Sequence, residues 1–126
     1  MKLDAVGVST NNILKAVQFY RLLGFVFPSL KGNEQHVESL TQEGSIRLMI
    51  DVKSVIKDII GEEPKPANHS VFAVQFDKPA EVNEIVQKII SNGFKVIKEP
   101  WDAFWKQRYA IVEDPDGYKV DLYAPL

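Results

Sequence analysis

The chain has 126 residues, of which 45% are hydrophobic and 25% charged, and its formal net charge is -2. Such a composition is typical of a folded globular protein and argues against disorder. The absence of cysteine excludes disulfides, thiolate metal sites and a cysteine nucleophile. The sequence contains no basic run, so it offers no electrostatic surface for nucleic acid.

The cellular location is inferred from what the sequence does not contain. The start, Met1-Lys2-Leu3-Asp4, lacks the apolar core of a signal peptide. No apolar stretch approaches the roughly 20 residues that are needed to span a bilayer. We therefore expect a cytoplasmic protein with neither a membrane nor a nucleic-acid partner.

The first half of the chain is predicted to contain one helix among four strands. Asn11 or Asn12 can cap a helix whose apolar residues fall at helical spacing from Ile13 to Leu23, and Gly24 ends it. Alternation and turn signals predict the strands at residues 2–9, 25–27, 35–41 and 46–51. Residues 53–68 contain a short helical stretch and two prolines, and we interpret them as a linker.

The second half repeats this order. A strand is predicted at 69–77, and a helix with a continuous apolar stripe begins at Pro79 and ends at Gly93. Further strands are predicted at 94–98, 107–113 and 118–124. Leu23-Gly24-Phe25 and Asn92-Gly93-Phe94 occupy matching positions, which indicates a duplicated module. We predict a single α+β domain of paired β-α-β-β-β modules, 1–52 and 69–126, that form an open, cleft-containing barrel.

Three segments carry a resemblance to a known family. They are Asn11-Asn12 with Phe19-Tyr20 and Leu23-Gly24-Phe25, the aromatic string from Glu99 to Tyr109, and the closing hairpin from Asp114 to Leu122. Together they resemble the vicinal oxygen chelate superfamily, which has the glyoxalase and bleomycin-resistance fold. The resemblance implies paired modules around a cleft. It also implies one of several activities, which range from metal-dependent isomerases, lyases and dioxygenases to proteins that bind a drug without metal.

The resemblance implies that each module of a metal-using member offers one ligand from its first strand and one from its last. The first of these positions is Ala5, which cannot coordinate a metal. The second is ambiguous between Leu48, Met49 and Asp51, of which Met49 and Asp51 share a face with Arg47.

The second module matches the metal-ligand pattern better. His69 stands at its first ligand position, and Asp121 stands where a glutamate is usual. Catalytic divalent sites commonly use three protein ligands. We therefore expect no metal and no cofactor, although a weak site of His69, Asp121 and Asp51 stays open. The alternatives are a strand-end histidine bonded to a neighbour and an Asp121 carboxylate paired with Arg47 or Arg108.

Aromatic side chains crowd into nine residues near the end of the chain: Trp101, Phe104, Trp105 and Tyr109, with Arg108 among them. Such rings suit a flat or apolar ligand, and an arginine can hold a carboxylate. The alternative is that the rings close one end of the barrel or pack against a second subunit. His36 and Glu38 share a strand face and are interpreted as a surface pair.

Strand alternation places His69 and Asp121 on the cleft side of the second module. We predict a ligand site with these two side chains at its floor and contacts from Trp101, Trp105, Arg108 and Tyr109. By the same alternation Arg108 lies opposite Tyr109, so both face the cleft only if the strand bulges or begins after Arg108.

Three functions are compatible with these residues. The leading hypothesis is a metal-independent small-molecule binding protein, because Ala5 replaces a ligand and an aromatic segment is present. The alternative is a lyase or isomerase-type enzyme with a degenerate divalent-metal site. The third is an interaction module whose cleft is filled by its own side chains. We also expect a homodimer, because open sheet edges are usually covered and the resemblance implies dimers.

Overall fold

The computed structural model describes residues 1–67 and 72–126 of the chain. The chain divides into two compact units, Met1–Pro66 and Ala67–Leu126. The segment that we interpreted as a linker therefore belongs almost wholly to the first unit. Part of it forms a helix, Lys53–Ile60, that contacts the first sheet.

The first unit contains a three-stranded sheet. Its strands and helices are β1 (Ala5–Thr10), α1 (Ile13–Leu22), β2 (His36–Glu38), β3 (Arg47–Val52) and α2 (Lys53–Ile60). The sheet order is β1-β3-β2, in which β3 runs parallel to β1 and antiparallel to β2.

The second unit contains a four-stranded sheet. Its elements are β4 (Phe72–Gln75), α3 (Pro79–Ser91), β5 (Lys95–Ala103), β6 (Gln107–Glu113) and β7 (Lys119–Pro125). The order is β4-β7-β6-β5, and only the β4–β7 pair is parallel. Two mixed sheets with helices confirm the predicted α+β class, and this unit has the predicted β-α-β-β-β order.

Helix α1 forms where the capping and apolar signals predict it. The Asn12 side chain accepts a hydrogen bond from the Lys15 backbone N–H at 3.1 Å, and Gly24 follows the helix with a φ of 104°. Such a left-handed residue is the usual helix stop. The buried face of α1 packs on β3, where Leu48 and Ile50 are almost fully buried.

Helix α3 covers one face of the second sheet. Glu81 in its first turn accepts from the Lys78 backbone N–H at 2.8 Å, which satisfies a donor at the helix start. Its residues Val82, Val86 and Ile89 are completely buried. They face the equally buried residues Ala110, Val112, Val120, Leu122 and Ala124 of β6 and β7. This layer is the core of the second unit.

The predicted strand at 25–27 is wrong. In the structure this segment has no strand, so the first unit follows the order β-α-β-β before α2. The Val26 carbonyl accepts one bond from the Leu40 N–H at 2.7 Å, and the Arg21 guanidinium donates to the Pro28 carbonyl at 2.9 Å. Because Pro28 has no N–H to continue a ladder, the segment is held by isolated bonds.

Strand β5 is longer than predicted. The sequence predicted a strand over 94–98, but the strand runs from Lys95 to Ala103. Its pairing with β6 shifts register between Val96 and Lys98 and again between Lys98 and Trp101, and these irregularities accommodate the proline. The aromatic segment is therefore the tip of a β5–β6 hairpin. Within residues 1–67 and 72–126, no helix is both long and apolar enough to cross a membrane.

Candidate functional site

The second sheet has a face opposite α3, which we call the ring face. Side chains alternate along a strand, so residues next to the buried Ala110 and Leu122 must point away from α3. Tyr109 pairs with Tyr123, and Ile111 pairs with Asp121, across the β6–β7 ladder. These four side chains therefore share the ring face.

Four aromatic side chains meet on the ring face: Trp101, Trp105, Tyr109 and Tyr123, here called the aromatic cluster. The Tyr109 ring centre lies 5.3 Å from that of Trp101, 5.4 Å from that of Trp105 and 5.9 Å from that of Tyr123. The Trp101 and Trp105 rings meet edge to face at 6.1 Å. These are the separations of favourable aromatic pairs.

The aromatic cluster is not enclosed like a core. Trp105 retains 45% of its accessible surface, and Trp101 and Tyr109 are half-buried. Phe104 at the hairpin tip is 90% exposed, with its ring centre 4.9 Å from that of Trp105. The structure thus brings Trp101, Trp105 and Tyr109 together and leaves ring surface available.

Asp121 is a buried carboxylate beside this cluster. It is only 8% exposed, and its Oδ2 accepts a hydrogen bond from the Tyr109 hydroxyl at 2.6 Å. Its Oδ1 is buried and has no hydrogen-bond partner among the residues that the structure describes. Burial, reinforced by this bond and by the carboxylate charge, raises the pKa of Tyr109 above its usual range. Tyr109 is therefore a neutral donor at physiological pH.

Arg108 does not join the aromatic cluster. It points to the α3 side, where its Nε donates to the Asn83 Oδ1 at 3.0 Å and its guanidinium binds Asp102 at 3.1 Å. Alternation is the reason, because β6 runs without a bulge against β7 between Arg108 and Tyr109. Within this unit the hydrogen-bond partner of the Asp121 side chain is accordingly Tyr109 and not Arg108.

A different cation lies at the ring face. The Lys98 ammonium is 4.1 Å from the centre of the Trp101 ring. Sequence reasoning missed Lys98 because simple alternation separates it from Trp101, whereas the register shift in β5 brings both to one face. Tyr123, whose hydroxyl donates to Gln75 at 3.1 Å, also lies on this face, two residues after Asp121, and was not included in the predicted site.

The first sheet carries a charged network on the face opposite α1. His36 bridges Asp51 through Nδ1 at 2.7 Å and Glu38 through Nε2 at 3.0 Å. Arg47 then binds both Glu38 and Asp4. The predicted pairing of His36 with Glu38 is confirmed. The bond to Asp51 is the main cause that raises the pKa of His36, and Arg47 lowers that of Glu38.

Whether the chain can hold a divalent metal depends on the donor side chains that the structure describes. Among residues 1–67 and 72–126, no three His, Asp or Glu side chains come together to hold a metal ion. Ala5 has no donor atom, Asp51 is bonded to His36, and Asp121 is bonded to Tyr109. His69, the remaining predicted ligand, lies outside the described residues. The described side chains do not fit a divalent site.

The first unit also contains a polar groove of about 430 Å³. It lies at the starts of α1 and α2 and is lined in part by Asn12, Glu34, Gln35 and Ser54. The Asn12 side chain already caps α1, and the Glu34 carboxylate accepts the backbone N–H groups of Lys31 and Gly32 at 2.6 and 2.8 Å. These polar groups serve the local backbone, so the groove is a weaker candidate than the ring face.

Comparisons with known proteins agree with this architecture. Residues 2–122 match the family model described as the Glyoxalase/Bleomycin resistance protein/Dioxygenase superfamily. An uncharacterized protein of Mycolicibacterium smegmatis is 28% identical over 123 residues, which cover 96% of this chain and 91% of that protein.

Solved structures show the same fold at low sequence identity. A hypothetical protein from S. aureus has a TM-score of 0.81 at 18% identity, covering 98% of this chain and 94% of its own. A glyoxalase/bleomycin resistance protein/dioxygenase family enzyme from Burkholderia phytofirmans has a TM-score of 0.81 at 17% identity, with both chains covered completely. At such identities the similarity concerns the fold alone.

Proposed function

Because the chain belongs to the glyoxalase/bleomycin resistance protein/dioxygenase superfamily, we propose that it is a metal-independent binding protein for a small molecule. The ligand rests on the aromatic cluster of the ring face. One observation carries this proposal: Trp101, Trp105 and Tyr109 form a partly exposed ring surface beside the buried Asp121 carboxylate, one oxygen of which has no hydrogen-bond partner among the described residues.

The rings are not needed to build the core of their unit. The α3 side of the sheet is already filled by apolar residues that are completely buried, among them Val86, Val120 and Leu122. Large aromatic surface left on the other face is therefore available to a ligand. Stacking contributes roughly 0.5–1.5 kcal/mol for each aromatic pair beyond the burial of apolar area, so each ring that contacts a ligand adds to its affinity.

The proposed contacts are Trp101, Trp105, Tyr109 and Asp121. His69 stays a proposed neighbour on the strength of strand alternation and the family resemblance. Arg108 is left out of the site, because its guanidinium is engaged with Asn83 and Asp102 on the α3 side.

Thermal shift with a panel of flat aromatic compounds tests the binding function. A ligand that binds only the folded state raises the melting temperature by mass action. Trp105→Ala should abolish the shift caused by each hit. Ile59→Ala, which removes a 73% exposed side chain from α2, should retain it. Hits that stabilise the Trp105 variant as well as the parent would overturn the assignment of the site.

We predict that the purified protein carries no stoichiometric divalent metal. The reason is that Ala5 lacks a donor and that Asp51 and Asp121 are engaged with His36 and Tyr109. Elemental analysis of protein that was never exposed to a chelator measures the metal content. One equivalent of zinc, iron, nickel or manganese would contradict the prediction and support the lyase or isomerase alternative.

We also propose a cytoplasmic homodimer. The strands β1 and β2 edge the first sheet, and β4 and β5 edge the second; unpaired sheet edges are commonly covered by another chain. Sedimentation at micromolar concentration should give about twice the chain mass of 14.3 kDa. A mass of one chain at all concentrations would contradict the dimer.

A further inference from the structure

The ring face also indicates the chemical class of its ligand. Building on the proposed binding function, we propose that the ligand is an arylalkylamine, in which a protonated amine is carried by an alkyl group on a flat ring. The ammonium donates to Asp121 Oδ1, and the ring packs against Trp101, Trp105 and Tyr109.

The first support is the unmet acceptor. An ionised carboxylate has only acceptors, and both of its oxygens need donors. At Asp121 one oxygen receives the Tyr109 hydroxyl, and the other is buried without a partner among the described residues. Leaving such an atom unpaired costs about 1–3 kcal/mol, and more for a charged group. The Tyr109 phenol is neutral, so its hydrogen bond brings no positive charge to the carboxylate.

The second support is the nature of the rings that share the ring face with Asp121. The faces of tryptophan and tyrosine attract cations, tryptophan most strongly. Lys98 already demonstrates the preference, since its ammonium lies 4.1 Å from the Trp101 ring centre. Lys98 is exposed, and its long side chain is able to move aside when a ligand ammonium takes its place.

An anionic ligand fits the same surface less well. It would meet the carboxylate of Asp121, and like charges in a partly buried site repel. The arginine that could have held an anion, Arg108, is bonded to Asp102 on the other side of the sheet. Lys98 lies at this face and could pair with an anion. Its ammonium, however, already lies against the Trp101 ring.

Three probes that share one ring system test the ligand class: 1-naphthylmethylamine, 1-naphthylmethanol and 1-naphthoate. Calorimetric titration at pH 7 should give an affinity for the amine about tenfold or more above that for the alcohol, because a charge-assisted bond replaces a neutral one. Naphthoate should bind more weakly than the alcohol.

Three variants test whether the preference for the amine depends on Asp121. Asp121→Asn keeps the side-chain volume and should reduce the affinity for the amine to that for the alcohol, with little change for the alcohol itself. Lys98→Ala should strengthen binding of the amine by removing a competing cation. Asp102→Asn is the matched control: this carboxylate is 62% exposed and bonded to Arg108 on the other face, so the preference should persist.

The outcomes distinguish the proposed ligand class from the proposed binding function. Equal or tighter binding of naphthoate, or a preference for the amine that survives Asp121→Asn in a folded protein, overturns the ligand class while the binding function stands. If none of the three probes binds up to millimolar concentration, and the thermal-shift panel is also negative, the binding function itself is overturned.

Discussion

Replacing Leu122 by alanine will lower the free energy of unfolding by about 3 kcal/mol. Leu122 is completely buried in β7, a central strand of the second sheet, and pairs with Ala110 on β6 beneath α3. Truncation removes apolar contacts and leaves a cavity that a sheet hydrogen-bonded on both sides cannot close. The side chain faces away from the aromatic cluster, so the loss reflects packing and not the ligand site.

Urea unfolding followed by circular dichroism measures this loss. Leu40→Ala is the matched control, because the same side chain is 63% exposed there and its removal should change stability by less than about 0.5 kcal/mol. Similar losses for the two variants would contradict the placement of the core between α3 and the second sheet.

Replacing Tyr109 by phenylalanine will destabilise the protein by about 2 kcal/mol, although it removes a single oxygen atom. The Tyr109 hydroxyl donates the hydrogen bond to Asp121 Oδ2. Without it, neither oxygen of this buried carboxylate has a hydrogen-bond partner among the described residues. The double variant Tyr109→Phe/Asp121→Leu removes the carboxylate as well. It should be more stable than Tyr109→Phe alone, because no buried charge remains unpaired.

The contact between Tyr109 and Asp121 also predicts how the stability of the protein changes at alkaline pH. The pKa of Tyr109 is raised in the folded protein above its unfolded value of about 10. Its contribution to stability is therefore fully present below about pH 10 and is lost as the pH rises through the folded pKa. Unfolding curves above pH 10 should show a steeper loss of stability for the parent protein than for Tyr109→Phe. Identical slopes would contradict the raised pKa of Tyr109, which burial and the hydrogen bond to Asp121 together produce.

The sequence predicted the helices because burial sets their pattern. The apolar stripe of Val82, Val86 and Ile89 lies at helical spacing, and all three residues are completely buried between α3 and the second sheet. Alternation likewise assigned Asp121 to the face opposite the helix. These predictions depend on local periodicity, which a single sequence displays directly.

The remaining features of the site depend on which strand residues pair with each other, and a single sequence does not specify that pairing. The Tyr109–Asp121 bond requires the β6–β7 register, and the contact of Lys98 with Trp101 requires the irregular β5 pairing. The segment 25–27 is apolar enough for a strand but has no ladder partner in the structure. His69 lies outside the described residues, so its predicted place at the floor of the site stays a prediction.

The most direct test of the ring face as the ligand site is an ¹H–¹⁵N correlation spectrum during titration with 1-naphthylmethylamine. The chain has two tryptophans, Trp101 and Trp105, and therefore two indole N–H signals. If the ligand rests on the aromatic cluster, both indole signals should shift with one saturable binding constant, together with the amides of β6 and β7. If both stay in place while the amides around Asn12 and Glu34 shift, the ligand binds the polar groove of the first unit and the ring face is not the site.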